Sequence, residues 1–317
     1  MDRISVKHVF GPVPSRRLGY SLGIDLVPYK TCSFDCIYCQ LGNTTNKTTE
    51  IKEYFPIEEI VSDIKDKLKE DCRINYITLS GAGEPTLYSR ISEVIDTIKK
   101  NSDKPVAVLT NGSMLWNPKV RNALMEADVV IPSLDAGNEE MFQYINRPCK
   151  ELSFEKVVLG IELFIREFKR ETWLEVFLLL KGVLSEKKHI KQLADIIKQL
   201  KPYKTQLNTI ARPSCEKYAT ALSRADLNLL RKYFSGKIEV IANFKSKKGK
   251  KNFSVDKDII INLLTRRPCT SKDISDSLSI NYNETVKLLE TLCSEGILTI
   301  QDIDSKVFYK VNKSYKE

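Results

Sequence analysis

Three cysteines stand close together near the start of the 317-residue chain. Cys32, Cys36 and Cys39 have the spacing C-x3-C-x2-C within the stretch TCSFDCIYCQLG, where polar neighbours after an apolar run indicate a loop. A structural zinc site usually needs four ligands, and no histidine lies nearby, since the chain has only His8 and His189. Three thiolates can instead hold three irons of a [4Fe–4S] cluster, which leaves the fourth iron open to another ligand.

Further polar motifs follow later apolar runs. LSGAGEPTLY contains Gly83, which permits a close backbone approach, Glu84, an anionic acceptor, and Pro85, which stiffens the turn. The other polar positions at predicted strand ends are Asn111 in TNGS, Ser133 and Asp135 in SLDA, and Lys181 in LLLKG. Ordinary loop hydrogen bonding is an alternative explanation for these four residues. Cys149 and Cys215 also follow predicted strand ends, where they can approach the same edge of a sheet.

The order of apolar runs predicts the elements that must position these residues. Short, branched strands alternate with amphipathic helices up to about residue 240, which is typical of a parallel sheet covered by helices. The predicted strands span 21–27, 75–80, 105–110, 128–134, 172–180 and 205–210. These β–α units favour a partial (β/α)6 TIM-type barrel with its site at the carboxyl ends of the strands. A doubly wound sheet is the alternative topology.

A second, smaller domain is predicted at the C-terminal end. The cationic run KSKKGKKN (245–252) lacks a hydrophobic pattern and separates a domain over 1–244 from a domain over 253–317. In the small domain, three helical segments precede two strands, an order typical of a winged helix-turn-helix domain. Before the first predicted strand, GPVPSRRLG predicts a compact basic loop, in which Arg16 and Arg17 contact phosphate, carboxylate or a structural acidic partner.

Composition limits the functional class. Hydrophobic residues make up 42% of the chain, which is enough for a substantial core, and no apolar run is long enough for a membrane span. The sequence shows no signal peptide, so we expect a cytoplasmic, reducing environment in which the eight cysteines need not pair. The net charge of +9 fits either a lysine-rich surface or an anionic partner such as nucleic acid.

The cysteine spacing, with Tyr38 before the last cysteine, resembles the loop of the radical S-adenosylmethionine (SAM) superfamily. The resemblance implies a [4Fe–4S] cluster on the three cysteines, and SAM whose methionine amino group is bound by Glu84. It implies cleavage of SAM by one electron to a 5′-deoxyadenosyl radical that abstracts hydrogen from a substrate, with a flavodoxin- or ferredoxin-type donor. The implied cofactor-binding residues are Tyr38, Gly83, Glu84, Pro85, Asn111, Ser133, Asp135 and Lys181.

Within that superfamily, the motifs SGAGEPTLY, TNG and SLDA are similar to the branch of the tRNA wyosine synthases, over about residues 10–240. That branch carries further N-terminal cysteines for a second cluster, whereas this chain has none before Cys32, so the same reaction does not follow. We predict an enzyme that modifies RNA, with tRNA as the leading substrate. The alternatives are a protein- or peptide-modifying enzyme, such as a glycyl-radical activase, and a DNA-binding regulator that senses SAM or the cluster.

Overall fold

The computed structural model describes residues 8–180, 187–241, 257–278, 280–303 and 306–312, so Lys181 and the predicted linker 245–252 lie outside it. The strands are β1 (Val9–Ser15), β2 (Gly19–Ile24), β3 (Thr31–Cys32), β4 (Asn46–Lys47), β5 (Tyr76–Leu79), β6 (Val106–Thr110), β7 (Val129–Pro132), β8 (Glu171–Phe177), β9 (Leu179–Leu180), β10 (Lys204–Asn208), β11 (Thr220–Ala221), β12 (Ile238–Val240), β13 (Leu298–Ile303) and β14 (Lys306–Val311). The helices are α1 (Ile57–Leu68), α2 (Ile91–Asn101), α3 (Pro118–Ala123), α4 (Glu139–Asn146), α5 (Phe154–Glu167), α6 (Lys187–Leu200), α7 (Arg224–Leu230), α8 (Lys257–Arg266), α9 (Ser271–Leu278) and α10 (Tyr282–Ser294), with short 3-10 helices at Pro85–Leu87 and Arg231–Tyr233.

One eight-stranded sheet organises the molecule, in the order β1-β2-β5-β6-β7-β8-β10-β12. All neighbours from β2 to β12 pair in parallel, which confirms the predicted α/β class and parallel sheet. β12 adds a parallel strand to the six that the sequence predicts. Among the described residues, β1 and β12 each have a neighbour on one side only, so the strand pairing leaves the sheet open between them.

β1 is the element that differs most from expectation. Residues 9–15 pair antiparallel with β2, where we expected a loop, and the register shifts between Phe10 and Val13. Gly and Pro residues at positions 11, 12 and 14 indicate a loop in the sequence, because both types are depleted in strand interiors. They are tolerated at sheet edges and bulges, which is where β1 lies. The resulting hairpin places Arg16 and Arg17 at its turn.

The hydrophobic core is formed by the apolar faces of helices and by strands that are apolar on both faces. Helix α2 buries Ile91, Val94, Ile95 and Ile98, which share one helical face, and its opposite face is charged. Parallel strands covered on both faces are apolar throughout, as in VVIP of β7, where every residue is buried. Burial of each such side chain contributes roughly 1.5–3 kcal/mol. No helix among the described residues has both the length and the apolar character that crossing a membrane requires.

The C-terminal segment packs against the hairpin. Helices α8, α9 and α10 and the antiparallel pair β13–β14 share a hydrophobic cluster that also includes Val13, with Phe10 packed against it. Arg266 at the end of α8 donates through Nε to Asp25 Oδ2 at 2.7 Å, and its guanidinium lies 4.6 Å from the centre of the Phe10 ring. The two predicted domains therefore share a core and a largely buried ion pair, and their division remains a prediction.

Replacing Arg266 by Met should lower the free energy of unfolding by about 3–5 kcal/mol, because it leaves the buried Asp25 carboxylate without its cation. Burial already raises the pKa of Asp25, against the effect of Arg266. A folded-state pKa above the unfolded value means that the native state binds more protons, so stability falls as pH rises. Urea denaturation should therefore show a larger loss for the variant at pH 8 than at pH 5.

Arg90→Met is the control, because Arg90 makes its ion pairs with Glu53 and Glu93 at the surface. Exposed ion pairs contribute little to stability, so this variant should unfold close to the wild type. Equal losses in the two variants would contradict the role assigned to the Asp25–Arg266 pair.

Candidate functional site

The cysteine loop begins at β3 and runs along the end of α4. Backbone bonds join the two, from Asp35 N to Asn146 O and from Ile37 N to Ile145 O, both at 2.9 Å. In the part of the chain that the structure describes, no three His, Cys, Asp or Glu side chains converge on a position for one metal ion.

Each cysteine sulfur accepts a hydrogen bond from a different side chain. The donors are Asn111 Nδ2 to Cys32 Sγ at 3.5 Å, Asn146 Nδ2 to Cys36 Sγ at 3.4 Å, and Lys30 Nζ to Cys39 Sγ at 3.3 Å. Burial raises the pKa of the Cys32 thiol to about 12 and that of Cys36 well above its ordinary value. Donors aimed at the sulfurs reduce the cost of charge there once a metal displaces the protons.

Two of these donors were not predicted from the sequence. Lys30 has φ +60°, in the left-handed region, and its backbone is held by bonds from Lys30 N to Ala82 O at 2.7 Å and from Asn46 N to Lys30 O at 3.1 Å. Asn146 is the last residue of α4, distant in sequence from Cys36. Lysine and asparagine at these positions carry no recognisable motif, so only the fold assigns them.

Glu84 is the most highly connected polar side chain at the ends of the strands. Its Oε1 accepts from Thr86 N at 3.1 Å and from the hydroxyls of Thr86 and Thr110 at 2.6 Å, and its Oε2 accepts from Asn111 N at 2.7 Å. Burial raises the pKa of Glu84, and these bonds oppose that shift. The carboxylate therefore joins the loop after β5 to the loop after β6, besides facing the cavity where we expect SAM.

Gly83 and Pro85 have structural reasons for their places beside Glu84. A Cβ on Gly83 would lie 1.9 Å from Thr31 O, so only glycine allows this loop to approach the strand that carries Cys32. The approach is completed by Glu84 N, which donates to Thr31 O at 3.0 Å. Pro85 is the buried first residue of the 3-10 helix.

Asp135 faces the cysteine loop. Its Oδ2 accepts from the Tyr38 hydroxyl and, at 3.0 Å, from Asn146 Nδ2, and its Oδ1 accepts from Phe177 N at 2.9 Å. Burial raises the pKa of Asp135 to about 6, against these bonds. The Tyr38 ring stacks on Phe177, with 4.0 Å between ring centres. Asp135 thus holds Tyr38 and Asn146 in place, an arrangement compatible with positioning the loop.

One cavity of about 390 Å³ brings most of these residues together, a volume in the range of small-molecule sites. The predicted site residues that line it are Cys32, Tyr38, Cys39, Gly83, Glu84, Asn111 and Ser133. Cys36, Pro85 and Asp135 lie outside the lining. The wall also contains five arginines that the sequence did not combine into a site: Arg16, Arg17, Arg212, Arg266 and Arg267.

Cys149 and Cys215 approach the cysteine loop, as their strand-end positions suggest. Cys215 N donates to Cys39 O, and Cys215 Sγ donates to the carbonyls of Cys36 and Ile37, all at 3.1 Å. Cys149 N donates to Ser33 O at 2.9 Å. In this arrangement both residues brace the loop through its backbone.

The cysteine loop lies at the carboxyl edge of a parallel sheet, and a carboxylate and small polar residues from the next strands surround the same cavity. This is the arrangement expected of a radical SAM enzyme. Residues 26–197 match the family model described as Radical SAM superfamily. The chain belongs to the radical SAM superfamily, and it is an enzyme whose cofactors are a [4Fe–4S] cluster and SAM.

Several curated proteins are similar to nearly the whole chain. A UPF0026 protein of Methanocaldococcus jannaschii is 34% identical over 96% of this chain and 95% of its own length. A Brachyspira hyodysenteriae protein named GTPase Obg is 41% identical over 98% of this chain, which spans only 46% of that relative. A more distant match, a probable dual-specificity RNA methyltransferase RlmN of Exiguobacterium sibiricum, is 23% identical over 60% of this chain and 55% of its own length.

A solved structure agrees with the fold. The radical SAM methyltransferase from Sphaerobacter thermophilus has a TM-score of 0.55, with 15% identity over 69% of this chain and 66% of that one. At that identity the likeness concerns the fold alone.

Glu84→Ala should lower the free energy of unfolding of the metal-free protein by about 2–5 kcal/mol, because the Asn111 N–H and two threonine hydroxyls lose a buried acceptor. Chemical denaturation measures this loss. Glu93→Ala removes a carboxylate that binds Arg90 on the surface of α2, and it should change stability much less. A Glu84→Ala protein as stable as the wild type would show that Glu84 acts on a ligand alone.

Proposed function

We propose that this radical SAM enzyme modifies RNA, with tRNA as the leading substrate class. The observation that carries the proposal is the shared cavity, which is lined both by Cys32 and Cys39 of the cysteine loop and by Arg266 and Arg267 of the C-terminal segment. A macromolecule that rests on the C-terminal segment can therefore place one of its units beside the cofactors.

In this proposal Cys32, Cys36 and Cys39 hold the cluster, and Tyr38, Gly83, Glu84, Asn111 and Ser133 surround SAM. With both cofactors bound, one electron from an external donor would cleave the C–S bond of SAM and give methionine and a 5′-deoxyadenosyl radical at this site. Asn146 and Asp135 hold the cysteine loop in place through hydrogen bonds, and the fully buried hydroxyls of Ser33 and Ser113, 2.6 Å apart, join this loop to the loop after β6. Pro85 and Asp135 act through their neighbours, and Lys181 remains a proposed contact outside the described residues.

The C-terminal segment is proposed to be a winged helix-turn-helix domain that recruits the RNA. Its element order supports this assignment, with three helices α8, α9 and α10 followed by the antiparallel pair β13–β14. The net charge of +9 and the cationic run at 245–252 favour a polyanion over a peptide. The relative named as an RNA methyltransferase agrees with RNA as the substrate class.

Replacing Cys32, Cys36 and Cys39 together by Ala should abolish the cluster, because the three thiolates are its proposed ligands. Protein purified without oxygen and assayed for iron and sulfide should contain about four of each in the wild type and none in the variant. Cys215→Ala is the matched control, since its sulfur donates to the carbonyls of Cys36 and Ile37 and is not one of the three proposed ligands. A full cluster in the triple variant, or its loss in Cys215→Ala alone, would contradict the assignment.

With dithionite and SAM, addition of substrate tRNA should increase the release of 5′-deoxyadenosine, because the radical then reacts productively. Retention of tRNA should weaken roughly ten-fold between 50 and 200 mM salt if about two phosphates are contacted. Nucleoside mass spectrometry should show that tRNA from a strain lacking the gene has lost a modified nucleoside, which the wild-type gene restores and the triple cysteine variant does not. If peptides increase 5′-deoxyadenosine release and tRNA does not, the RNA proposal is wrong.

A further inference from the structure

Five arginines line the cavity that contains Cys32 and Cys39, and two of them are neutralised by acidic partners. Arg17 Nη1 lies 2.7 Å from Glu175 Oε1, and Arg266 Nε lies 2.7 Å from Asp25 Oδ2. The positive charges of Arg17 and Arg266 are therefore balanced by carboxylates of the protein itself.

The other three arginines, Arg16, Arg212 and Arg267, make no ion pair within the part of the chain that the structure describes. The Nε atom of Arg212 and the Nε and Nη2 atoms of Arg267 are buried without a hydrogen-bond partner there. Because buried polar groups are nearly always satisfied, such donors at the wall of a cavity indicate a missing acceptor.

The electrostatics of these three residues agree with their geometry. Burial lowers the pKa of Arg16 to about 10, and the next cause is the charge of Arg212. Burial likewise lowers the pKa of Arg267 to about 10, again with Arg212 as the next cause. Three cations that lose hydration and repel one another are unfavourable in the free protein, and an anion between them would reverse both effects.

We propose that Arg16, Arg212 and Arg267 form an anion site that binds a phosphate group of the substrate beside the SAM pocket. Three guanidinium forks present more donors than the two oxygens of a carboxylate can accept, whereas a phosphate offers at least two unesterified oxygens and its ester oxygens. The phosphate of an RNA nucleotide and that of a free nucleotide share this chemistry. The choice of RNA rests on the proposed function, whereas the anion site does not.

The arrangement also explains why the C-terminal segment reaches the cavity. Arg16 comes from the β1–β2 hairpin, Arg212 follows β10, and Arg267 follows α8. The three charges therefore meet only when the C-terminal segment packs on the hairpin. A phosphate held by all three would link substrate binding to that packing.

The probe for the test is inorganic pyrophosphate, added to the full-length protein that carries its cluster. Thermal unfolding should shift upward with pyrophosphate, because a ligand of the native state stabilises it by mass action. Arg267→Met should bind pyrophosphate roughly ten- to a hundred-fold more weakly by calorimetry, because charge-assisted hydrogen bonds are lost. In buffer without phosphate the same variant should be at least as stable as the wild type, since it removes an unpaired buried charge.

Arg212→Lys and Arg121→Met complete the series. Arg212→Lys keeps the charge and loses the planar fork, so it should retain part of the affinity. Arg121 is a buried arginine of α3 that is paired with Glu167 at 2.7 Å, away from the cavity. Arg121→Met should be less stable with and without pyrophosphate and should keep the full pyrophosphate-induced shift. If wild type and Arg267→Met respond equally to pyrophosphate, the anion site is refuted.

Competition identifies the source of the phosphate. SAM should leave pyrophosphate affinity unchanged, and displacement by SAM would overturn the proposal, because the arginines would then hold the SAM carboxylate. Displacement of pyrophosphate by tRNA would support both the anion site and the RNA function. If a nucleoside diphosphate displaces pyrophosphate and the protein does not bind tRNA, the anion site is supported and the RNA function is refuted.

Discussion

The close approach of the loop at Gly83 to the strand at Thr31 is the constraint on which the rest of the site depends. It brings the Glu84 N–H to the Thr31 carbonyl, and the Glu84 carboxylate then accepts from Thr86, Thr110 and Asn111. A side chain at position 83 would force these strands apart. The loops after three neighbouring strands are therefore held together as one surface by the protein's own hydrogen bonds.

The same surface also reduces the cost of placing negative charge on the three buried cysteine sulfurs. Burial opposes ionisation of a thiol, and it raises the pKa of both Cys32 and Cys36. One donor for each sulfur offsets part of the cost, and the donors come from Lys30, Asn111 and Asn146. The site is therefore prepared for negative charge on sulfur, and the preparation depends on elements as distant in sequence as α4.

At one edge of the sheet, the packing of the C-terminal helices brings distant arginines into the cavity wall. β1 covers one edge as an antiparallel strand. The C-terminal helices pack on β1 through Phe10 and Val13, and the Asp25–Arg266 pair joins α8 to the residue that follows β2. Residues far apart in the chain thereby share one cavity wall. Its arginines, distributed over the hairpin, the loop after β10 and the end of α8, make a charged region that no local motif predicts.

The sequence by itself determined the class of fold, and it predicted the site residues, several of which line one cavity in the structure. Hydrophobic period and strand length indicated the parallel sheet, because a buried parallel strand is apolar on both faces, and the cysteine spacing and the GEP turn are local patterns. β1 was not predicted, because its Gly and Pro residues resemble a loop until β2 supplies the pairing. Only the tertiary structure shows that Lys30 and Asn146 lie beside the cysteine sulfurs and that the five arginines share one cavity wall. Hydrogen bonds and charges act over a few ångströms in space, and only folding brings such distant residues that close.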